Sequence, residues 1–540
     1  MGQQSQHSYN ARPLLPYHRE RGRPVVLVLT LILGGLFLGY YFALLAPNAV
    51  MPLLLPVAVL AGLVIWALPD MRSAPTRSLS WLLLAFLVAL PLWPNYLALA
   101  LPGLPWITVL RIISGPMILL LLICVSVSAE FRRQTTQSIS ASAPLSKLLL
   151  FFILLQSVSL LPALIFGGGL GESIEALMLA QINWTAIFFL SAYVFLYPGR
   201  SDMMIALLLL VAGALCLIGI QEWRISAVPW AGHIPGFLKI EDPLVEKVLS
   251  GSARAATGIH RVQASYTTSL GFAEFLALIT PFALHIAVRG RQLATRIAAG
   301  TFMPLLLWII ILTDSRLGVV GFFLSCFFYL LIYGVILWRS NRRSLMGPAI
   351  VLAYPMLFAG FLVSTFLVQR LARMVWGGGA ASYSTQARIE QWDRGVQLLI
   401  ANPLGYGIGR GGITLGYVNQ AGQGTIDSYF LLLLLEYGPA GFLIFFGMFA
   451  VALWKGGQTI FRRNLTGELT LLIPLMIAIA DWIIVKSIFA QPDNHPLIFA
   501  MLGMTTALIC RAGEESAFNQ SSPARPAGQA ARPSIPKGHS

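Results

Sequence analysis

Apolar runs of spanning length follow one another along almost the whole chain, at about 25–45, 49–68, 79–98, 106–128, 147–166, 176–197, 203–221, 268–288, 297–313, 317–338, 349–369, 427–453, 469–489 and 495–510. A bilayer core needs roughly 20 such residues in one helix, because a helix satisfies every backbone amide within its own segment. A chain written this way folds as an all-α polytopic membrane protein, with about 12–14 transmembrane helices. The composition agrees, at 57% hydrophobic and 11% charged residues with a mean hydropathy of +0.76. No soluble domain of ordinary size fits between the runs. The first run is too long for a signal-peptide core and lacks a small-x-small cleavage site, so it reads as a retained span.

Orientation follows from the basic residues. With the amino terminus inside, the short inside loops carry fifteen Lys and Arg, from Arg72 to Arg463, and the short outer connections carry only Arg316. Positive charge retained on the cytoplasmic side gives that asymmetry. The chain then divides into a cytoplasmic tail at 1–24, a single transmembrane domain at 25–510 and a disordered cytoplasmic tail at 511–540, rich in Ala, Pro, Ser and Arg. Two long loops, 222–267 and 369–426, both lie outside. The formal charge of +15 is accounted for by these flanking loops, and no basic patch with interleaved aromatics points to nucleic acid. All four cysteines fall in or at the end of apolar runs, which excludes a readable disulfide framework or zinc site.

The second outer loop is the longest polar break in the chain. Within it, Ile389, Trp392, Val396, Leu399 and Ile400 recur at helical spacing, opposite Arg388, Gln391, Arg394 and Gln397. This spacing predicts an amphipathic helix on a membrane surface or over a cavity. Glu390 can pair with Arg394 four residues on, whereas Arg388 has only Gln391 and Trp392 at its pairing positions and is left with an uncompensated charge. The helix stops at Asn402-Pro403, and the glycine-dense GYGIGRGG that follows adds the cation Arg410. Gly407 to Gly412 formally matches a dinucleotide fingerprint, but no strand-helix unit surrounds it.

Other charges lie where inside loops cannot explain them. Arg316, in the turn Thr313-Asp314-Ser315-Arg316, is either a helix-end arginine snorkelling to the headgroups or an anion-binding cation facing the outer loops. Arg111 lies five residues into its run, about 8 Å deep, where an arginine faces the bundle interior. Glu436 sits near a midplane and reads as a hydrogen-bonded bundle residue. Asp481 and Lys486 are five apart, a poor intrahelical pair, so each looks to another helix, and Glu274 is unassigned. His233 and His260 stand in the first outer loop. No His, Cys and carboxylate cluster has metal-ligand spacing, so neither a metal nor a cofactor is expected.

Taken together, TDSRLGVVGFF from Thr313, ARIEQWDRGVQLLIANPLGYGIGRGG in the outer loop and DSYFLLLLLEYGPAGFLIFF entering the next span resemble the bacterial O-antigen ligase and O-antigen or exopolysaccharide polymerase superfamily, over about residues 260–510. The resemblance implies a GT-C-like inner-membrane glycosyltransferase that takes a glycan from an undecaprenyl-diphosphate carrier on the periplasmic side. It also implies functional roles for Arg316 and Arg388, a glycan or lipid-linked acceptor, surrounding membrane lipids and, for a polymerase, a chain-length regulator as partner. Many ligases carry His-Asn where Asp427-Ser428 stands here.

The chemistry suits the residues. Arginines stabilise a leaving diphosphate bidentately without a metal, and a carboxylate can take the acceptor proton. Asp427 is the first candidate for that base, ahead of Glu390 and Asp393, with helix capping as its alternative role. Arg388 and Arg316 complete the catalytic set, and Arg111, Arg410, Arg394 and His260 are the candidate substrate-binding residues. The competing expectation is a polysaccharide-lipid flippase or other secondary transporter, which the many spans and buried charges also fit. Reporter fusions at Gly251 and Gly412 should give an external signal and one at Arg342 an internal signal; an internal signal at Gly412 would remove the outer site altogether.

Overall fold

The computed structural model describes residues 50–521 apart from 71–73, 101–106, 163–168, 241–244, 247–248, 250–259, 341–342, 344, 368–381 and 419–424. The run at 25–45 and both distal tails lie outside the described residues. Each of the other thirteen runs contributes one helix. In chain order the elements are α1 (Val50–Ala67), α2 (Thr76–Leu92), β1 (Leu97–Leu99), α3 (Val109–Val127), α4 (Ala129–Ser140), α5 (Ala143–Val158), α6 (Leu170–Val194), α7 (Arg200–Ile225), β2 (Leu238–Ile240), α8 (Ser269–Arg289), α9 (Leu293–Leu312), α10 (Arg316–Ser340), α11 (Met346–Leu367), α12 (Ser382–Ala401), α13 (Gly411–Leu415), α14 (Tyr429–Arg462), α15 (Gly467–Lys486) and α16 (His495–Ser521).

Among the described residues nine helices are long and apolar enough to cross a membrane, or ten if α4 and α5, bent by 106°, count as one span. The sequence expectation was about 12–14. The difference lies in the run at 25–45, which is not described, in α1, which is not among these spans, and in α2 and α11, whose described apolar stretches are shorter. Buried leucine, phenylalanine and alanine side chains from α2 to α16 form one continuous core, with α8, α15 and α16 at its centre. Leu210, Leu352 and Trp454 point outward, as side chains facing lipid do.

Three features depart from the sequence expectation. The connection after α2 is not purely helical, because β1 pairs antiparallel with β2, Leu97 opposite Ile240, which ties the 222–267 loop to the α2–α3 connection. Tyr96, Val228 and Trp230 pack beneath that ribbon, and Trp230 Nε1 donates to Tyr96 Oη at 2.8 Å. At the other end, α16 continues to Ser521, well past the tail boundary at 511. Arg511 holds it there by reaching Glu468 at 2.8 Å, and Ala512 is buried.

The third departure shapes the loop face. Helix α14 is broken at Gly438, whose φ of 67° and ψ of −177° are strained for any residue with a Cβ. Pro439 has no N–H to give to the carbonyl of Leu435 four residues back. That carbonyl accepts from Tyr406 N at 2.7 Å, and the next, of Glu436, from Gly407 N at 3.0 Å. The glycine-rich loop thus fills the hydrogen-bonding gap that the break opens, which apolar surroundings require. Gly405, at φ 88°, runs so close that a Cβ there would meet Glu436 O at 2.5 Å. A side chain at Gly438 would collide with the Pro403 carbonyl. Gly438→Ala should therefore lower the melting temperature of the detergent-purified protein, through a backbone penalty of about 1–3 kcal/mol plus the collision; an unchanged melting temperature would mean the break is not needed.

Candidate functional site

Helix α12 lies against the start of α14, but not with the face that its sequence pattern offered. Ile389, Val396 and Ile400 are exposed, whereas Gln391 and Gly395 are buried and Arg388 is half-buried. Gly395 permits the contact, since a Cβ there would meet Leu431 Cδ1 at 2.5 Å. Arg388, Gln391 and Gly395 thus face the bundle with Trp392 and Leu398 beside them, while Ile389, Val396 and Ile400 turn outward together with Arg394 and Gln397.

This orientation brings the two leading candidates together. Arg388 Nε stands 3.8 Å from Asp427 Oδ2, with the two side chains 30% and 34% exposed. The charge on Arg388, uncompensated within its own helix, meets a carboxylate 39 residues along the chain. At that distance the pair is an ion pair without a hydrogen bond, and Arg388 Nε has no hydrogen-bond partner among the described residues. Asp427 does not cap α14, because Ser428 does, its Oγ accepting from Leu431 N at 3.4 Å. The Asp427 carboxylate is free for other chemistry. Burial pushes it above the usual aspartate range, and Arg388 opposes that push.

A buried framework holds Asp427 from behind. Ser428 Oγ donates to Ser487 O at 2.7 Å. The preceding residue, Lys486, is fully buried, donates to Glu274 Oε2 at 3.0 Å and to Gln491 O at 2.5 Å, and lies 5.7 Å from the Tyr429 ring. The connection after it is pinned to the end of the 222–267 loop and the start of α8: Thr267 Oγ1 donates to Asp493 Oδ2 at 3.0 Å, Tyr266 Oη to Asn494 Oδ1 at 3.0 Å and Asn494 Nδ2 to Gly271 O at 2.9 Å. Asp481 is likewise partnered across helices, accepting from Ser325. Glu436 accepts from Gly409 N at 3.0 Å and so is a bundle residue that also holds the loop.

The remaining sequence candidates, Arg316 apart, make contacts away from this pair. Arg316 opens α10, behind a turn that Arg261 secures by donating from Nε to Thr313 O at 3.0 Å. Arg111 is only the third residue of α3, shallower than its place in the apolar run suggested, and reaches Glu175 at 3.7 Å. The apolar run begins before the helix does, which is why counting from its edge overstated the depth. Arg410 lies against the start of α6, where a Cβ on Gly169 would meet its Nη1 at 2.6 Å and Glu172 Oε2 at 3.5 Å. Arg394 donates to Gly416 O at 3.4 Å, and Glu390 accepts from Gln386 at 3.2 Å, so the expected Glu390–Arg394 pair is replaced. His260 Nε2 is 2.9 Å from Glu222, a fully buried carboxylate that also accepts from Gln263 N and Ala264 N. That histidine serves as a loop latch in this arrangement.

Two supports were not legible as such. Gln391 looked like one more polar residue of an amphipathic helix, and only its i, i+3 relation to Arg388 hinted at a shared face. Glu274 and Lys486 lie 212 residues apart, so no local spacing could join them.

This is a multi-pass membrane protein with a charged site where a loop helix meets the head of a broken span. Residues 275–446 match the family model described as O-antigen ligase. The superfamily resemblance therefore holds over a segment that contains Arg316, Arg388, Arg394, Arg410 and Asp427, with Arg111 and His260 outside it. No curated protein matches the chain.

Removing one partner of a fully buried ion pair strands the other charge, at a cost of about 3–5 kcal/mol, whereas replacing both by apolar residues is often neutral. Lys486→Met should accordingly destabilise the purified protein strongly, and Lys486→Met with Glu274→Leu should recover most of the loss in thermal melting. A double variant as unstable as the single one would show that the pair is not an isolated unit.

Proposed function

We propose that the protein is an inner-membrane glycosyltransferase of the O-antigen ligase and polymerase type. It joins an undecaprenyl-diphosphate-linked glycan to an acceptor sugar on the periplasmic side and uses no metal. The observation that carries this reading is the loose ion pair between Arg388 and Asp427, 3.8 Å apart and partly open, inside the segment that matches the family.

In the proposed reaction, Asp427 takes the proton of the acceptor hydroxyl as its oxygen attacks the anomeric carbon. The bond from that carbon to the phosphate oxygen breaks, and its electron pair leaves on the diphosphate. Arg388, with Arg316, stabilises the developing charge, and a well-placed donor of this kind contributes roughly 3–4 kcal/mol. A carboxylate raised by burial is a better proton acceptor than an exposed one, since basicity rises with pKa. At rest Arg388 offsets the Asp427 charge. With donor bound, the guanidinium turns its fork to phosphate and the carboxylate is left to act as base.

The transporter or flippase reading draws on the broken helix α14, because discontinuous helices expose backbone dipoles to a cargo. Here the carbonyls freed by the break already accept from Tyr406 and Gly407, so the break seats a loop.

Transfer from purified lipid-linked donor in liposomes tests the assignment. Asp427→Asn should fold and bind donor while transfer falls by roughly a hundredfold or more. Arg388→Lys keeps the charge and loses the fork, so its loss should approach that of Arg388→Ala. Near-normal turnover by the lysine variant would leave Arg388 a membrane-surface anchor. In the wild type, the acid limb of transfer should lie above the usual aspartate range, because the active form is the carboxylate and burial raises its pKa.

A further inference from the structure

Gln391 is 1% exposed and sits one turn after Arg388 on the inward face of α12. Its Oε1 accepts from Asp427 N at 2.9 Å. A backbone N–H can only donate, so the side-chain atom facing it must be the oxygen, and the amide orientation is fixed by chemistry. The other end, Nε2, is therefore a donor with two hydrogens. It is buried and has no hydrogen-bond partner among the described residues, and the same holds for Arg388 Nε. Two buried, unsatisfied donors thus stand on one helix face beside the Asp427 carboxylate. Buried polar groups in native proteins are almost always satisfied, so an orphaned donor calls for an explanation, which an arriving acceptor supplies.

We infer that Gln391 is a further donor-binding residue, whose Nε2 and Arg388 Nε together hold a phosphate oxygen of the lipid-linked diphosphate. The inference rests on the proposed function and adds to it a neutral donor that no charge pattern would single out. The chemistry selects the ligand class. A guanidinium and an amide side by side offer only hydrogens, which suits an oxygen that only accepts, such as that of an ionised phosphate, better than a hydroxyl that must also donate. Gln391 would also couple binding to reaction, since the same side chain that meets phosphate fixes the backbone of Asp427.

The test uses the full chain in nanodiscs with undecaprenyl diphosphate, which carries no sugar, as the probe. Gln391→Glu keeps an oxygen for Asp427 N–H and removes the donor; Gln391→Met removes both. Both should insert, both should melt somewhat below the wild type, since Met leaves the Asp427 N–H unsatisfied and Glu buries a carboxyl, and both should bind undecaprenyl diphosphate roughly tenfold or more weakly, the loss expected when a donor to a charged group is removed. If Gln391→Glu binds the probe as the wild type does, whether or not Gln391→Met is weakened, the nitrogen does not meet phosphate and the residue only holds Asp427. If the wild type itself fails to bind undecaprenyl diphosphate, or Arg388→Ala binds it unchanged, the proposed function fails first. Weakening by Arg388→Ala alone, with both Gln391 variants unaffected, would overturn only the role of Gln391.

Discussion

The loop face depends on how one broken helix satisfies its backbone. In an apolar bundle the carbonyls of Leu435 and Glu436 cannot be left without partners, and Pro439 guarantees that the helix itself cannot supply one of them. The amides of Tyr406 and Gly407 do so, and the Glu436 carboxylate takes Gly409 N as well. The loop is thereby fixed about two turns into α14 while Gln391 is fixed to its head through Asp427 N. Helix α12 lies between these two attachments, so the position of Arg388 opposite Asp427 follows from backbone hydrogen bonding as much as from charge.

The charges sort by how completely they are closed. Lys486 and Glu274 are fully buried and in direct contact, and Glu468 at the opposite end is met by Arg511 and by the amides of Gly199 and Ser201. Such closed arrangements set which helices meet, since a mismatched partner would leave a bare charge in a medium that cannot solvate it. Arg388 and Asp427 are neither fully buried nor in hydrogen-bonding contact. A pair left this loose costs little to open, as the proposed exchange of carboxylate for phosphate requires.

The loop face is also bound together laterally. The end of the 222–267 loop and the start of α8 hold the α15–α16 connection through Thr267, Tyr266 and Gly271, and that connection holds Ser428 through Ser487. The two long loops therefore meet the residues before α14 from opposite directions, one through buried polar side chains and the other through Gln391. A displacement of either loop would be felt at Asp427.

The sequence alone determined the spans, the two long loops, the loop helix and its glycine-rich exit, because each is written in local periodicity, in runs of apolar residues and in turn chemistry. It also singled out Arg388, as a charge without a local partner, and Asp427, as the first candidate for a base. Tertiary structure decided that they are each other's partner, that α12 turns Arg388 and Gln391 inward and Ile389, Val396 and Ile400 outward, that Arg111 is only the third residue of its helix, and that His260 is latched to Glu222. The reason is physical: hydrophobic periodicity reports which stripe of a helix is apolar, and at a membrane surface that stripe can face lipid as well as protein. Which charges then meet depends on contacts across tens to hundreds of residues, and these exist only once the helices have packed.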